Sequence, residues 1–316
     1  MKILTPAKIN LTLEIVGRRS DGYHDLATWM LPVGLYDRLE INVKDVQSFE
    51  SNLPELEGDS SNLVIRAAEL FRRTATTDAC YNIRLEKAIP IGAGLGGGSS
   101  DAAATLLLLN KLHGFPLTSQ ELHGLAAQLG SDVPFFIDAQ SAWCTSRGEV
   151  MEPREFPRGL WIFLTKPGFG VSTAGAYSAY TALPSLQKRG REVTTPWGVL
   201  RNDLEPAVFP KYLLLPVIKD WLTKRADATL ALMSGSGSTI FAVVQSQSEG
   251  ESLDAAFRQV FGERVWTSVC QLNPECSRFV ASDPLRREQG NAHVRLRAQR
   301  CFPKAAALSL FPRGNR

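Results

Sequence analysis

The sequence predicts an α+β fold whose two halves share a cleft. Strand-like and helix-like segments are mixed, without the regular βαβ alternation of a doubly wound parallel sheet. A length of 316 residues suits about two domains, or one large domain around a cleft. The polar, proline-bearing stretch from Pro153 to Pro157 offers a boundary. The expected divisions are 1–155, which carries a glycine-dense loop, then 156–280, then a basic tail, 281–316, expected to be poorly ordered.

Ile9 to Val16 alternates apolar and polar residues, as a half-buried strand does, and Leu39 to Val43 repeats the pattern after the turn-rich Arg18 to Gly22. Apolar residues at helical spacing (Val64, Ala67, Ala68, Leu70, Phe71) predict a helix from Ser60 and Ser61. Tyr81 to Leu85 predicts a strand leading into the glycine loop. Asp101 to Leu112 reads as a buried helix, and Thr118 to Leu129 as a second, with Thr118 and Glu121 in capping-box spacing. Gly130 to Pro134 breaks that helix, and Phe135 to Ile137 continues as an apolar segment. Later come a strand at Leu160 to Thr165, a helix from Thr173, a glycine-serine turn at Ser234 to Ser238 that by itself reads as a simple helix-to-strand turn, a strand at Thr239 to Val244 and a helix near Leu253 to Phe261.

The composition, 44% hydrophobic with a net charge of +3, excludes a disordered polyelectrolyte. The charge is divided by position: 281–316 holds eight basic and two acidic residues, +6, which leaves the body at −3. Nucleic acid is not an expected partner of the body, since that needs a concentrated basic stripe. Five cysteines without a Cys-x-x-Cys pair indicate neither a disulfide framework nor a zinc site. No segment approaches the roughly 20 apolar residues of a membrane helix, so no membrane partner and a cytoplasmic location are expected. His113 and His123, on predicted helices without a partner at ligand spacing, read as structural.

The densest chemical signal is Pro90-Ile91-Gly92-Ala93-Gly94-Leu95-Gly96-Gly97-Gly98-Ser99-Ser100-Asp101. Glycines let the backbone fold tightly and aim several N–H groups at one point, and the following helix turns its N-terminal amides there too. Such a cradle suits a phosphate chain. The serine hydroxyls could bond a phosphate oxygen or a metal ion, or simply cap the helix. A P-loop is excluded because no lysine follows the glycines. The Gly-x-Gly-x-x-Gly match at Gly92, Gly94 and Gly97 lacks the acid about 20 residues on that a dinucleotide fold would supply.

Pro90 to Ala104 resembles the central ATP-binding motif of the GHMP kinases. Pro6 to Leu11, Arg18 to His24, Gly130 to Phe136, Asn202 to Glu205 and Met233 to Ser238 resemble further motifs of that superfamily, in its order, over about residues 3 to 270. They are most similar to the branch acting on a cytidine diphosphate-linked methylerythritol in non-mevalonate isoprenoid synthesis. The resemblance implies a two-lobed kinase with ATP as donor, Mg²⁺ expected with metal ligands unassigned, and a small-molecule acceptor. It implies that Asp132 accepts the acceptor hydroxyl's proton and that Lys8, beside it, opposes negative charge in the transition state. ATP would lie under Pro90 to Ser100. Asn10 would bond the polyol, His24 would read the base edge, Tyr23 and Tyr177 would wall the base, and Thr173, on the same helix as Tyr177, would also bind the substrate. Gly235, Ser236 and Gly237 would complete the cleft. A monomer or weak homodimer is expected. Alternatives are a kinase for another small alcohol and a non-catalytic nucleotide-binding regulator. Two stretches depart from the family pattern: Asp138-Ala139-Gln140-Ser141 stands where a glycine pair is usual, and Ser146 stands where glycine is usual.

Overall fold

Lys2–Arg18 and His24–Lys44 form two long antiparallel strands, β1 and β2, joined by a short turn. The computed structural model describes residues 1–56 and 58–275, so the expected tail at 281–316 lies outside the described residues. The elements that follow are β3 (Ser48–Ser51), α1 (Leu63–Thr74), β4 (Cys80–Glu86), α2 (Gly97–Leu112), α3 (Ser119–Leu129), α4 (Phe135–Asp138), β5 (Ala142–Ser146) and β6 (Val150–Pro153). Then come β7 (Trp161–Lys166), α5 (Thr173–Ala182), β8 (Val193–Thr195), β9 (Gly198–Leu200), α6 (Glu205–Val208) and α7 (Leu214–Thr223). The last are β10 (Leu230–Met233), β11 (Ile240–Val244), α8 (Gln247–Phe261) and β12 (Trp266–Gln271).

β2 is long enough to hold three partners. Most of it (His24 to Glu40) pairs with β1, its first part (Leu26 to Met30) with β5, and its last part (Arg38 to Lys44) with β4. β3 and β6 complete a six-stranded sheet. A second sheet runs β10-β11-β7-β12, antiparallel throughout, and β8 and β9 form a separate hairpin.

Period-two alternation sorts the core into layers. Ile162, Leu164, Phe241 and Val243 face Ile9, Leu11, Leu31 and Val33 in a core between the two sheets. Their neighbours Phe163, Ile240, Ala242 and Val244 face Ile218 and Leu222 of α7 and Leu253 and Phe257 of α8. The first sheet's other face packs Leu39, Ile41, Tyr81 and Ile83 against Val64 and Phe71 of α1, Leu106 and Leu109 of α2, and Leu122 and Leu125 of α3. The order is helices, sheet, sheet, helices, the α+β class that the mixed segments predict.

Three expectations shift. Helix α2 starts at Gly97 rather than Asp101, because the last glycines of the run, Gly97 and Gly98, already form its first turn. A Cβ on Gly97 would lie 3.0 Å from both the Ile89 side chain and Lys87 Nζ, so the close approach explains glycine in a poor helix former's place. The Ser234–Ser238 turn joins two strands, since the four-residue apolar run Leu230–Met233 is a fully buried strand that periodicity alone does not separate from a helix. The helix expected near Leu253 begins earlier, at Gln247, capped by the Ser246 side chain.

Candidate active site

The glycine loop between β4 and α2 is backbone-built. Gly92, Gly94 and Gly96 sit at φ +64°, +75° and +71°, the left-handed region. At Gly94 a Cβ would stand 2.2 Å from the Ser234 carbonyl oxygen, and at Gly96 one would stand 2.8 Å from the Phe136 ring. Neighbouring strands fix the loop: Leu95 O accepts from Lys8 N (2.9 Å), Gly94 O from Ser234 Oγ (3.0 Å) and Ala93 O from Thr239 N (3.1 Å). Gly96 is the N-cap of α2 and offers no side chain to its first amides. Those N–H groups and the positive end of the helix dipole make an anion cradle, which is the fit a triphosphate needs.

Pro90 through Ser99 line a cleft of about 1070 Å³. Ser100 does not. It is buried in α2, and its Oγ has no hydrogen-bond partner among the described residues. Of the two serines, Ser99 is the one that reaches the cleft.

β1 supplies the next groups. Ala7, Ile9 and Leu11 point into the core between the sheets, so alternation turns Lys8 and Asn10 to the other face, where both line the cleft. Lys8 is only 3% exposed, and its Nζ donates to Asn10 Oδ1 (2.6 Å) and stands 3.3 Å from Asp132 Oδ2. Asn10 is itself held, donating from Nδ2 to Thr28 Oγ1 (2.8 Å). Asp132 follows the end of α3, in a turn closed by Val133 N donating to Gly130 O, and about a third of its side chain (35%) is open to solvent. A buried cation therefore meets a carboxylate that can reach a ligand.

Tyr23, His24, Thr173 and Tyr177 line the same cleft. His24 stacks on Tyr177 with ring centroids 5.3 Å apart and meets Tyr180 edge-on at 5.8 Å. Its Nε2 lies 3.2 Å from Thr181 Oγ1. Burial lowers the His24 pKa below the usual imidazole value, and Arg18 and Lys188 lower it further. Tyr23 is exposed, and the Arg147 guanidinium covers its ring at 5.2 Å. Gly235 and Ser236 also line the cleft, and Ser236 Oγ is 3.1 Å from Thr173 Oγ1; Gly237 lies outside the lining. His113 and His123 stay away from it, bonded to Tyr81 Oη (2.8 Å) and to Asp138 Oδ2 (3.0 Å).

Sequence reasoning misses two features of this cleft. Arg147, on the turn between β5 and β6, carries no local signal of a partner in the loop before β2. The other is a buried cluster beneath the glycine loop, in which Lys87 Nζ bonds Asp101 Oδ2 (2.7 Å) and Asp37 Oδ2, while Thr5 Oγ1 donates to Asp101 Oδ1 (2.7 Å). Burial and the Asp37 charge push the Asp101 carboxyl up to about 6, against the pull of Lys87 and Thr5. Burial alone would lower the Lys87 ammonium, but Asp101 and Asp37 hold it above its usual value.

A phosphate cradle and a Lys–Asp pair in one cleft of this α+β architecture define a kinase of the GHMP type. The model for the GHMP kinases N terminal domain matches residues 62–140, and that for the GHMP kinases C terminal matches 179–263. A crystal structure of 4-(cytidine 5'-diphospho)-2C-methyl-D-erythritol kinase is 32% identical, with a TM-score of 0.72 over 87% of this chain and 100% of that one. A homoserine kinase from Cytophaga hutchinsonii, 18% identical with a TM-score of 0.66 over 87% of this chain and 94% of that one, shares the fold. The 4-diphosphocytidyl-2-C-methyl-D-erythritol kinase of Methylacidiphilum infernorum is 44% identical over 280 residues, 86% of this chain and 92% of the relative. That of Heliobacterium modesticaldum is 38% identical over 83% of this chain and 92% of the relative. The chain belongs to the 4-diphosphocytidyl-2-C-methyl-D-erythritol kinase family.

Proposed function

We propose that this kinase phosphorylates the 2-hydroxyl of 4-diphosphocytidyl-2-C-methyl-D-erythritol, giving ADP and the 2-phosphate on the route to isopentenyl diphosphate. The observation that carries the reading is the 3.3 Å contact of Lys8 with Asp132 in a cleft also lined by the glycine loop and by His24 and Tyr177. Asp132 accepts the proton of the acceptor hydroxyl. Lys8, fixed by Asn10, lowers that hydroxyl's pKa and opposes the negative charge that develops on the oxygens. The amides of the loop and of α2 hold the phosphate chain in line. ATP supplies the γ-phosphoryl, which leaves with the electrons of its old bond remaining on ADP. Ser99 is the hydroxyl that would hold a Mg²⁺ ion, which would neutralise phosphate charge. His24 reads the cytosine edge and Tyr23 and Tyr177 wall the base, while Thr173 and Ser236 complete the cleft.

The residues fit a nucleotide on this chain's own geometry: three left-handed glycines, an uncapped helix start and a cleft wide enough for donor and acceptor together. A coupled ADP-release assay across candidate alcohols tests the assignment. Turnover with the cytidylyl substrate and not with homoserine or mevalonate is expected. Silence with it and turnover with another alcohol would replace the acceptor, and silence with all would favour a non-catalytic nucleotide binder.

A further inference from the structure

The Lys87 cluster touches both ends of the glycine loop. At the entry, Asp37 Oδ1 on β2 accepts from Ala88 N (2.6 Å) and Ile89 N (2.8 Å), the two residues before Pro90. At the exit, Asp101 lies in the first turns of α2, where Thr5 of β1 bonds one carboxylate oxygen and Lys87 the other. Lys87 Nζ joins the two carboxylates and thereby the two ends. All three charged side chains are at most 4% exposed, so the pairing is shielded from the screening that weakens surface ion pairs.

We propose that Lys87, Asp37 and Asp101 form a positioning clasp that holds the glycine loop in its nucleotide-accepting shape before the nucleotide arrives. The proposal rests on the kinase reading above. A loop of small residues loses much conformational freedom when ordered, and ordering it at the moment of binding would weaken the nucleotide. The clasp orders it beforehand. One end is tied to β1, which also carries Lys8 and Asn10, and the other to its partner β2, so the phosphate cradle keeps a fixed relation to the reacting groups.

The test is direct nucleotide binding by calorimetry, without acceptor, on the full chain, so that it stays informative even if the acceptor is misassigned. Asp101→Asn keeps the side chain's size and leaves Lys87 paired with Asp37 alone. The clasp predicts nucleotide affinity about tenfold weaker, with the acceptor KM within twofold of the parent. A lysine whose role is to touch the phosphates directly predicts the opposite sign, since releasing it from a carboxylate would leave binding unchanged or tighter, and that result overturns the proposal. If Asp101→Asn does not fold, Thr5→Val, which removes only the hydroxyl bond to Asp101, carries the test. Weaker nucleotide binding at unchanged acceptor KM then supports the clasp, and unchanged nucleotide binding overturns it.

Discussion

The two regions of the cleft proposed to recognise donor and acceptor are built from different materials. The glycine loop grips with backbone: left-handed glycines, an uncapped helix start and bonds from β1 and the 234–239 segment. The loop around Tyr23 and His24 grips with side chains, an exposed phenol under an arginine and an imidazole stacked on Tyr177. Phosphates are alike in every nucleotide and need only N–H groups and positive potential, which any backbone offers. A base must be told from other bases, and that takes particular side chains with particular donors and acceptors. Damage to the first region should therefore act through shape, and damage to the second through chemistry.

Between the two stand the groups proposed to act on the acceptor hydroxyl, and they give the largest expected effect. Asp132→Asn keeps shape and removes the base, so kcat should fall about 10²- to 10⁴-fold with both KM values near the parent's. A kcat within threefold of the parent at saturating substrates would remove Asp132 from the mechanism. Next comes Gly94→Ala. It adds a methyl group at φ +75° where the nearest atom is a backbone oxygen 2.2 Å away. The left-handed strain and the overlap together should cost about 2–4 kcal/mol, read by denaturant unfolding, and should raise the ATP KM more than the acceptor KM.

His24→Ala probes the other region by chemistry. Loss of one hydrogen-bonding edge and one stacked ring should raise the KM for the cytidylyl substrate about tenfold and leave the ATP KM unchanged. The same imidazole gives a pH signature. Its folded pKa lies below the unfolded value of about 6.5, because burial comes first and Arg18 and Lys188 add to it. The unfolded chain thus binds the proton more readily. The stability that His24 contributes is complete above about pH 6.5 and is lost as pH falls through the folded value. The acceptor KM should rise on the same acid side, and His24→Gln should flatten that rise. An equal rise in the variant would assign it to another group.

How much of this the sequence makes legible follows the same division. The loop reads directly, because only a dense run of glycines and serines before a helix makes such a cradle, and the Thr118–Glu121 capping box forms as its spacing predicts. Lys8 and Asn10 read as one strand face through alternation. The Lys87 clasp does not read at all. Its partners lie 50 and 14 residues away and meet only once β2, β4 and α2 have packed. Arg147 is hidden for the same reason. The separate fates of Ser99 and Ser100 are equally hidden, since neighbours on a helix start point to different sides and the sequence shows only that both are serine.

The smallest effect separates two departures from the family pattern that share a cause. Ala139 lies in the stretch where the resemblance expects a glycine pair and Ser146 where it expects glycine, and both are left-handed, at φ +46° and +62°. A side chain there costs about 1–2 kcal/mol of strain, partly offset by the freedom that glycine would lose on folding. Ala139 is buried at the end of α4, and nothing but its methyl group is lost on substitution. Ala139→Gly should stabilise by up to about 1 kcal/mol, a rise of roughly 1–2 °C in Tm for a chain of this size. Ser146 differs because its hydroxyl accepts from Arg19 Nη1 (3.1 Å) and donates to Glu149 Oε1 (3.3 Å), tying the β5–β6 turn to the loop that carries Tyr23. Two part-buried hydrogen bonds are worth about as much as the strain, so Ser146→Gly should leave Tm within about half a degree while raising the cytidylyl-substrate KM severalfold. A gain in Tm equal to that of Ala139→Gly, with KM unchanged, would show that the Ser146 hydroxyl holds nothing in place.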